Sequence, residues 1–113
     1  MTTTLEKIQS YGRLKKGWHF GEGVSIQRGT LVAGRSALTS LTNNGFDQTD
    51  AFPGLAGEIR VTGYRGSYYF ELTVVPGPEF EFTVEKDGKI TFREEKICLA
   101  RMKKLVKTYA NGI

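Results

Sequence analysis

Apolar and polar residues alternate along two neighbouring stretches, residues 68–75 and residues 79–84. Alternation with a period of two is typical of a strand with one buried side and one side in water. Pro76-Gly77-Pro78 lies between the stretches and predicts a three-residue hairpin loop. This loop places Leu72 opposite Phe82, and the other pairs on that face are apolar too. Pattern and loop therefore indicate the same register.

A further strand precedes this hairpin. Residues 58–64 show the same alternation. A two-residue turn at Arg65-Gly66 places Val61 opposite Phe70, and so continues the apolar face.

A fourth strand follows the hairpin after Lys86-Asp87-Gly88. A two-residue Asp-Gly turn would put Ile90 on the polar face. A three-residue loop instead pairs Ile90 with Val84 and Phe92 with Phe82. The hydrophobic pattern favours the longer loop.

Three other segments show the spacing of apolar residues that is typical of helices. The first, residues 4–14, follows a Thr-x-x-Glu capping box. The second begins at Ser25 or Thr30 and ends at residues 43–45, where Gly45 suits a left-handed cap. The third begins near Lys96 or Ile97 and is rich in lysine.

Residues 46–57 are predicted to be irregular, with a weak indication of a short edge strand at residues 46–48. The chain of 113 residues suits one domain, residues 1–113. The predicted fold class is α+β, in the order α-α-β-β-β-β-α. It consists of a four-stranded antiparallel β-meander with helices packed on one face.

Composition is that of an ordinary globular protein, with 39% apolar and 25% charged residues. No apolar run approaches the roughly 20 residues that a membrane span needs, and the N-terminus does not resemble a signal peptide. A single cysteine, Cys98, excludes an internal disulfide and is predicted to pack in the apolar stripe of the last helix. We expect a cytoplasmic protein that does not associate with membranes.

Positive charge is concentrated at the end of the chain. Residues 93–113 carry six Lys and Arg against two Asp and Glu, whereas residues 1–92 carry ten of each. A basic helix can contact nucleic-acid phosphates, so nucleic-acid binding through this helix is the alternative function. It lacks a helix-turn-helix partner, and a solvated lysine-rich face is the commoner explanation.

Candidate binding residues fall in the glycine-rich loop at residues 17–23 and in the irregular segment at residues 49–58. Loops often carry functional groups, and large apolar residues in both loops are expected to pack together, with Trp18 as the central filler. Polar groups would then rim a shallow ligand cleft. The candidate ligand-binding residues are Trp18, His19, Glu22, Asp50, Phe52 and Glu58.

Acid–base catalysis by His19 with nearby carboxylates is a less favoured alternative, because no spacing requires these groups to converge. We assign no catalytic residue. One Cys and one His cannot make a structural zinc set, so no metal and no cofactor are predicted.

A homodimer is the expected assembly, formed by the exposed sheet face or by an edge strand. Three uncharged residues on that otherwise charge-paired face suit a partner surface. The candidate interface residues are Tyr64, Tyr69 and Val75.

Three stretches, GWHFGEG (17–23), TDAFPGLAGEIRVTGY (49–64) and YYFELTV (68–74), resemble a group of small bacterial proteins. These proteins are of similar length and are carried on mobile elements such as integron gene cassettes. The resemblance covers roughly residues 5–92 and implies a bacterial, cytoplasmic accessory protein. An adaptive binding, stress-related or toxin–antitoxin role would suit that setting, but the group supplies no functional residue. The predicted function is therefore a small accessory binding or interaction protein.

Overall fold

The computed structural model describes residues 2–113 and consists of three α-helices and one five-stranded antiparallel sheet, in which the strands lie side by side in chain order. The elements are α1 (Thr4–Ser10), a 3₁₀ turn (Tyr11–Arg13), α2 (Arg28–Asn43), β1 (Gln48–Pro53), β2 (Ile59–Arg65), β3 (Tyr68–Val75), β4 (Glu79–Lys86), β5 (Lys89–Ile97) and α3 (Leu99–Asn111). The predicted α+β class and the antiparallel sheet are confirmed. The predicted number of strands is wrong by one.

The additional strand is β1, which lies within the segment predicted to be irregular, residues 46–57, and pairs with β2 along its whole length. Its sequence contains Asp, Ala and Pro, which are poor strand formers, so the local signal is weak. Side chains of the first helical segment stabilise its free edge. The Thr4 hydroxyl donates to the carbonyl of Thr49 at 3.0 Å, and the Tyr11 phenol donates to that of Ala51 at 2.8 Å.

The register of the central hairpin is confirmed, because Leu72 lies opposite Phe82 and both are buried. The pairing of β2 with β3 differs from the prediction by two residues, since Val61 faces Leu72 and not Phe70. The turn is Gly66-Ser67, with Gly66 at φ +62° in the first central position, as a type II′ hairpin turn requires. A shift of two residues leaves every side chain on its predicted face.

The predicted three-residue loop between β4 and β5 is wrong. Asp87 and Gly88 both have positive φ, 52° and 79°, and form a two-residue turn of type I′. Ile90 therefore pairs with Glu85 and is 61% exposed. One extra residue in β5 then forms a bulge, which places Phe92 opposite Val84. Local turn chemistry determined the loop, and the bulge restored the apolar register.

The core lies between one face of the sheet and the helices. α2 approaches the sheet closely at Gly34, where an added Cβ would lie 3.3 Å from Cδ1 of Ile59. The largest fully buried side chains are Phe46, Phe70, Phe80, Phe82, Ile8, Leu41, Ile59, Leu72 and Met102.

The helix boundaries differ from the predictions at three ends. α1 ends at Ser10 and continues only as the 3₁₀ turn, and α2 begins at Arg28, between the two predicted starts. α3 begins at Leu99, because Ile97 still belongs to β5. Cys98 is its exposed N-cap residue, so the predicted packing of Cys98 in the helical stripe is wrong. The Thr-x-x-Glu capping box of α1 is confirmed.

Among residues 2–113, no helix is both long and apolar enough to cross a membrane.

Candidate functional site

The glycine-rich loop at residues 17–23 forms a small hairpin, which we call the aromatic finger. The amides of His19 and Glu22 each donate to the other's carbonyl, at 2.8 and 2.9 Å. Gly17 donates to the carbonyl of Gly23 at 2.8 Å and closes the base. The turn at the tip is Phe20-Gly21, so the finger has a defined backbone that is closed at its base and next to its tip.

Trp18 packs within this loop. An added Cβ on Gly23 would lie only 2.6 Å from Nε1 of Trp18, so the indole covers this glycine closely. The same Nε1 donates to the carbonyl of Val24 at 2.9 Å. Trp18 therefore stabilises the finger, and the His19 and Glu22 side chains are exposed on it.

The two loops of the predicted cleft are neighbours in the structure. The amide of Val24 donates to the carbonyl of Leu55 at 3.1 Å. Cγ2 of Val24 also lies 3.2 Å from the position of an added Cβ on Gly57. The junction is made by Val24 and not by the predicted filler Trp18.

A shallow cavity of about 400 Å³ lies beside this junction. Two of the six candidate ligand-binding residues, Phe52 and Glu58, line it, whereas Trp18, His19 and Glu22 do not. Glu58 supports its own turn, because its Oε1 accepts a hydrogen bond from the amide of Ala56 at 3.1 Å. The lining residues are Phe52, Pro53, Gly54, Leu55, Ala56, Glu58 and Arg60, and we call this space the loop cavity.

Asp50, the sixth candidate, lies on β1 and pairs with Lys7 of α1. Its carboxylate also accepts the amide of Ala51 at 2.8 Å. The hydrogen bond from Lys7 holds the pKa of Asp50 below its ordinary value of 3.8. Lys7 extends over the Phe52 ring as well, 5.2 Å from its centroid. The Asp50 carboxylate thus joins α1 to the sheet.

Two of the three candidate interface residues lie together. Tyr64 and Tyr69 are cross-strand partners on β2 and β3, with ring centroids 4.9 Å apart. The Tyr69 phenol donates to Glu71 at 2.9 Å. Burial, and then the bond to Glu71, raise the pKa of Tyr69 above its ordinary range. Val75 ends β3, at the opposite end of that strand.

A larger groove, missed by the sequence reasoning, lies between α2 and α3 and has a volume of about 440 Å³. It is lined by Val32, Arg35, Ser36, Thr39, Ser40, Asn43, Asn44, Lys103 and Lys107, and we call it the α2–α3 groove. The lining contains hydroxyls, amides and three cations, and it contains no carboxylate.

The three cations of this groove are not neutralised by neighbouring carboxylates. Within residues 2–113, the ion pairs do not include Arg35, Lys103 or Lys107. Arg101 on the same helix differs, since Glu94 accepts two hydrogen bonds from it, at 2.9 and 3.0 Å. Of the four cations of α3, Lys103 and Lys107 line the groove, whereas Lys104 does not and Arg101 is paired.

Ser40 supplies a second, independent feature of the groove. It is only 7% exposed, and its hydroxyl is one of two buried side-chain groups without a hydrogen-bond partner among the described residues. Two neighbouring polar side chains do have partners: the Ser36 hydroxyl donates to the carbonyl of Val32, and the Asn44 side-chain amide donates to the carbonyl of Ser40. A buried hydroxyl without a partner is unfavourable, so Ser40 offers the groove a hydrogen-bonding group that no other side chain of residues 2–113 uses.

A weak signal for this groove exists in the sequence. Polar side chains recur every four residues along two rows of α2, from Arg35 to Asn43 and from Ser36 to Asn44. Residues with this spacing share one helix face. The sequence did not show that the lysines of α3 lie opposite that face.

Within residues 2–113, no three histidine, cysteine or carboxylate side chains come together in a way that could hold a metal ion.

In comparisons with known proteins, the chain matches no protein-family model, no curated protein and no solved structure.

Proposed function

We propose that this protein is a small accessory binding protein whose α2–α3 groove holds a phosphate-bearing small molecule about the size of a nucleotide. The observation that carries the proposal is the convergence of three unpaired cations and the unpartnered Ser40 hydroxyl within one groove, as seen among residues 2–113. Its volume of about 440 Å³ lies within the range of about 300–1,000 Å³ that is common for small-molecule sites.

The two helices would contribute different chemistry. Arg35 on α2 offers a planar guanidinium that can bind two phosphate oxygens at once. Lys103 and Lys107 are one helical turn apart on α3 and provide two point charges on one side. The Ser40 hydroxyl can donate to a phosphate oxygen at the floor.

A small anion is favoured over duplex nucleic acid by the distribution of charge. Arg101 is paired with Glu94, which reduces the number of cations that could follow a phosphate backbone. The outward face of the sheet carries Glu71, Glu81 and Glu85, which would repel a phosphate backbone. The groove also lacks histidine and carboxylate side chains, so it favours binding over acid–base catalysis.

Calorimetric titration with pyrophosphate, AMP and ATP tests the proposal. The informative variant is K103Q/K107Q, and K15Q/K16Q is its control, because both remove two exposed lysines and the same charge. We expect the groove variant to lose at least about tenfold in affinity, since hydrogen bonds to charged groups contribute about 1.5–3 kcal/mol each. The control should bind as wild type does.

Equal losses in the two variants would indicate non-specific attraction and would contradict the proposal. So would the absence of heat with all three compounds at low salt. Tight, strongly salt-dependent binding of duplex DNA would instead make the nucleic-acid alternative the leading one.

A further inference from the structure

Phe20 occupies the tip of the aromatic finger in an unfavourable conformation. Its φ is +51°, and its side chain is 96% exposed. The next residue, Gly21, has φ +87°, so the tip is a turn with two left-handed residues. Asn or Asp is usual in the first position of such a turn, and a bulky residue there is strained. The ring buries almost none of its surface within its own chain, and strained positions of this kind are found at functional sites.

The finger carries this ring at the tip of a closed hairpin. The centroids of Trp18 and His19 are 5.7 Å apart, and those of His19 and Phe20 are 4.9 Å apart, both in edge-to-face arrangements. Hydrogen bonds close the hairpin at its base and next to its tip. A ring carried on a closed hairpin loses little backbone entropy on binding, which suits it as an anchor.

The loop cavity is next to the base of the finger. The hydrogen bond from Val24 to Leu55 connects the residue after the finger to the cavity wall. Phe52 and Leu55 of this wall are 45% and 44% exposed, so it presents apolar surface to solvent. The volume of the loop cavity, about 400 Å³, exceeds that of one phenyl group.

We propose that the loop cavity is a docking site for Phe20 of a second copy of this chain, so that two copies exchange aromatic fingers. A finger and a cavity that lie side by side allow a symmetric dimer, in which each copy gives and receives one ring. Arg60 of the cavity lining pairs with Glu71 at 3.6 Å but its side chain is 55% exposed, so it can also pair with Glu22 of an incoming finger. This interface is separate from the α2–α3 groove.

The dimer should be weak. Each phenyl ring buries about 150–250 Å², and stable interfaces bury about 1,200–2,000 Å² in total. We therefore expect association that depends on concentration and has its midpoint in the micromolar range or above. Sedimentation velocity of the full chain over a dilution series measures this. The mass should fall, as the protein is diluted, from that of a dimer to the 12.6 kDa of a single chain.

Three variants test the exchange. Phe20→Asn removes the ring and suits the left-handed backbone, so this variant should fold at least as well as wild type and remain monomeric. Leu55→Glu, on an exposed position of the cavity wall, should also remain monomeric. Tyr64→Asn, an exposed aromatic residue on the sheet face, is the control and should dimerise normally.

Mixing distinguishes finger exchange from other dimers. Leu55→Glu keeps its finger and Phe20→Asn keeps its cavity, so a mixture of the two should form a heterodimer with one intact finger–cavity contact. A wild-type chain that is monomeric at millimolar concentration overturns the proposal. A dimer that persists in Phe20→Asn, or that is lost in Tyr64→Asn, overturns it as well, because the interface would then lie elsewhere.

Discussion

The phenol of Tyr11 donates a hydrogen bond of 2.8 Å to the carbonyl of Ala51, on the free edge of β1. This bond ties the first helical segment to the strand that the sequence did not predict. The Tyr11 side chain is buried. Burial, and to a smaller extent the charge of Asp50, raise the pKa of Tyr11 from its ordinary 10.0 to about 12.

Tyr11→Phe should lower the free energy of unfolding by about 1 kcal/mol near neutral pH, the usual net contribution of one hydrogen bond. The raised pKa predicts a second effect. The unfolded chain loses the phenolic proton above pH 10 and the folded chain only near pH 12. This contribution to stability is therefore complete below pH 10 and is lost as the pH rises to 12.

Urea titrations at intervals from neutral pH to pH 12 measure both effects. The wild type should lose more stability than Tyr11→Phe across the alkaline range. Tyr69 also has a raised pKa and remains in the variant, so some decline should persist. Parallel alkaline declines in the two proteins would contradict the role assigned to Tyr11.

Leu72→Ala should destabilise the protein by about 2–5 kcal/mol, because it opens a cavity opposite Phe82 in the centre of the sheet. Ile90→Thr is the matched test on an apolar position that points to solvent, and it should change stability by less than about 0.5 kcal/mol. Chemical denaturation gives both values. A large loss in Ile90→Thr would mean that Ile90 is covered in solution.

Gly63→Ala should also destabilise, although glycine is a poor strand residue. An added Cβ would lie 2.9 Å from Cδ1 of Phe46, whose ring packs against Phe70 with centroids 4.5 Å apart. Forcing a methyl group into a filled core costs about 1–3 kcal/mol. Gly66→Ala is not a suitable control because its φ is +62°, whereas Gly29 on α2 has no atom within 4 Å of an added Cβ. Gly29→Ala should leave stability unchanged or raise it. Thermal melts of the two variants and the wild type measure both effects.

The apolar pattern predicted the sheet faces well and individual pairings less well. Leu72 opposite Phe82 followed from the loop and the pattern together, because both required the same register. At Asp87-Gly88 they disagreed, and the local preference of the turn prevailed, with a bulge that returned Phe92 to the core. β1 could not be predicted because its stability comes from tertiary contacts such as the one from Tyr11.

The sites were predictable only where one segment supplied the residues. Phe52 and Glu58 are close in sequence and line one cavity. The finger lies beside that cavity, but its Trp18 packs on Gly23 of its own loop. The α2–α3 groove needs two helices that are far apart in the chain. Single-helix periodicity reveals each polar face, and it cannot reveal that the faces meet.

Ser40→Ala tests the groove through a trade-off between stability and binding. Removing a buried hydroxyl that has no partner should raise the free energy of unfolding by about 1–2 kcal/mol. Ser36→Ala is the control, because Ser36 lies one helical turn earlier on α2 and its hydroxyl donates to Val32 at 3.2 Å. Both changes gain the same helix propensity, so their difference isolates the unpartnered hydroxyl.

The same pair of variants should separate in binding. Ser40→Ala should melt at a higher temperature than Ser36→Ala without ligand and yet bind the phosphate compound more weakly, because the hydroxyl that completes the ligand's contacts is gone. This combination is expected of a site that sacrifices stability for function. Thermal melts with and without pyrophosphate measure both properties in one experiment. If Ser40→Ala is stabilised and retains full affinity, the hydroxyl does not contact the ligand. The groove would then act through its cations alone.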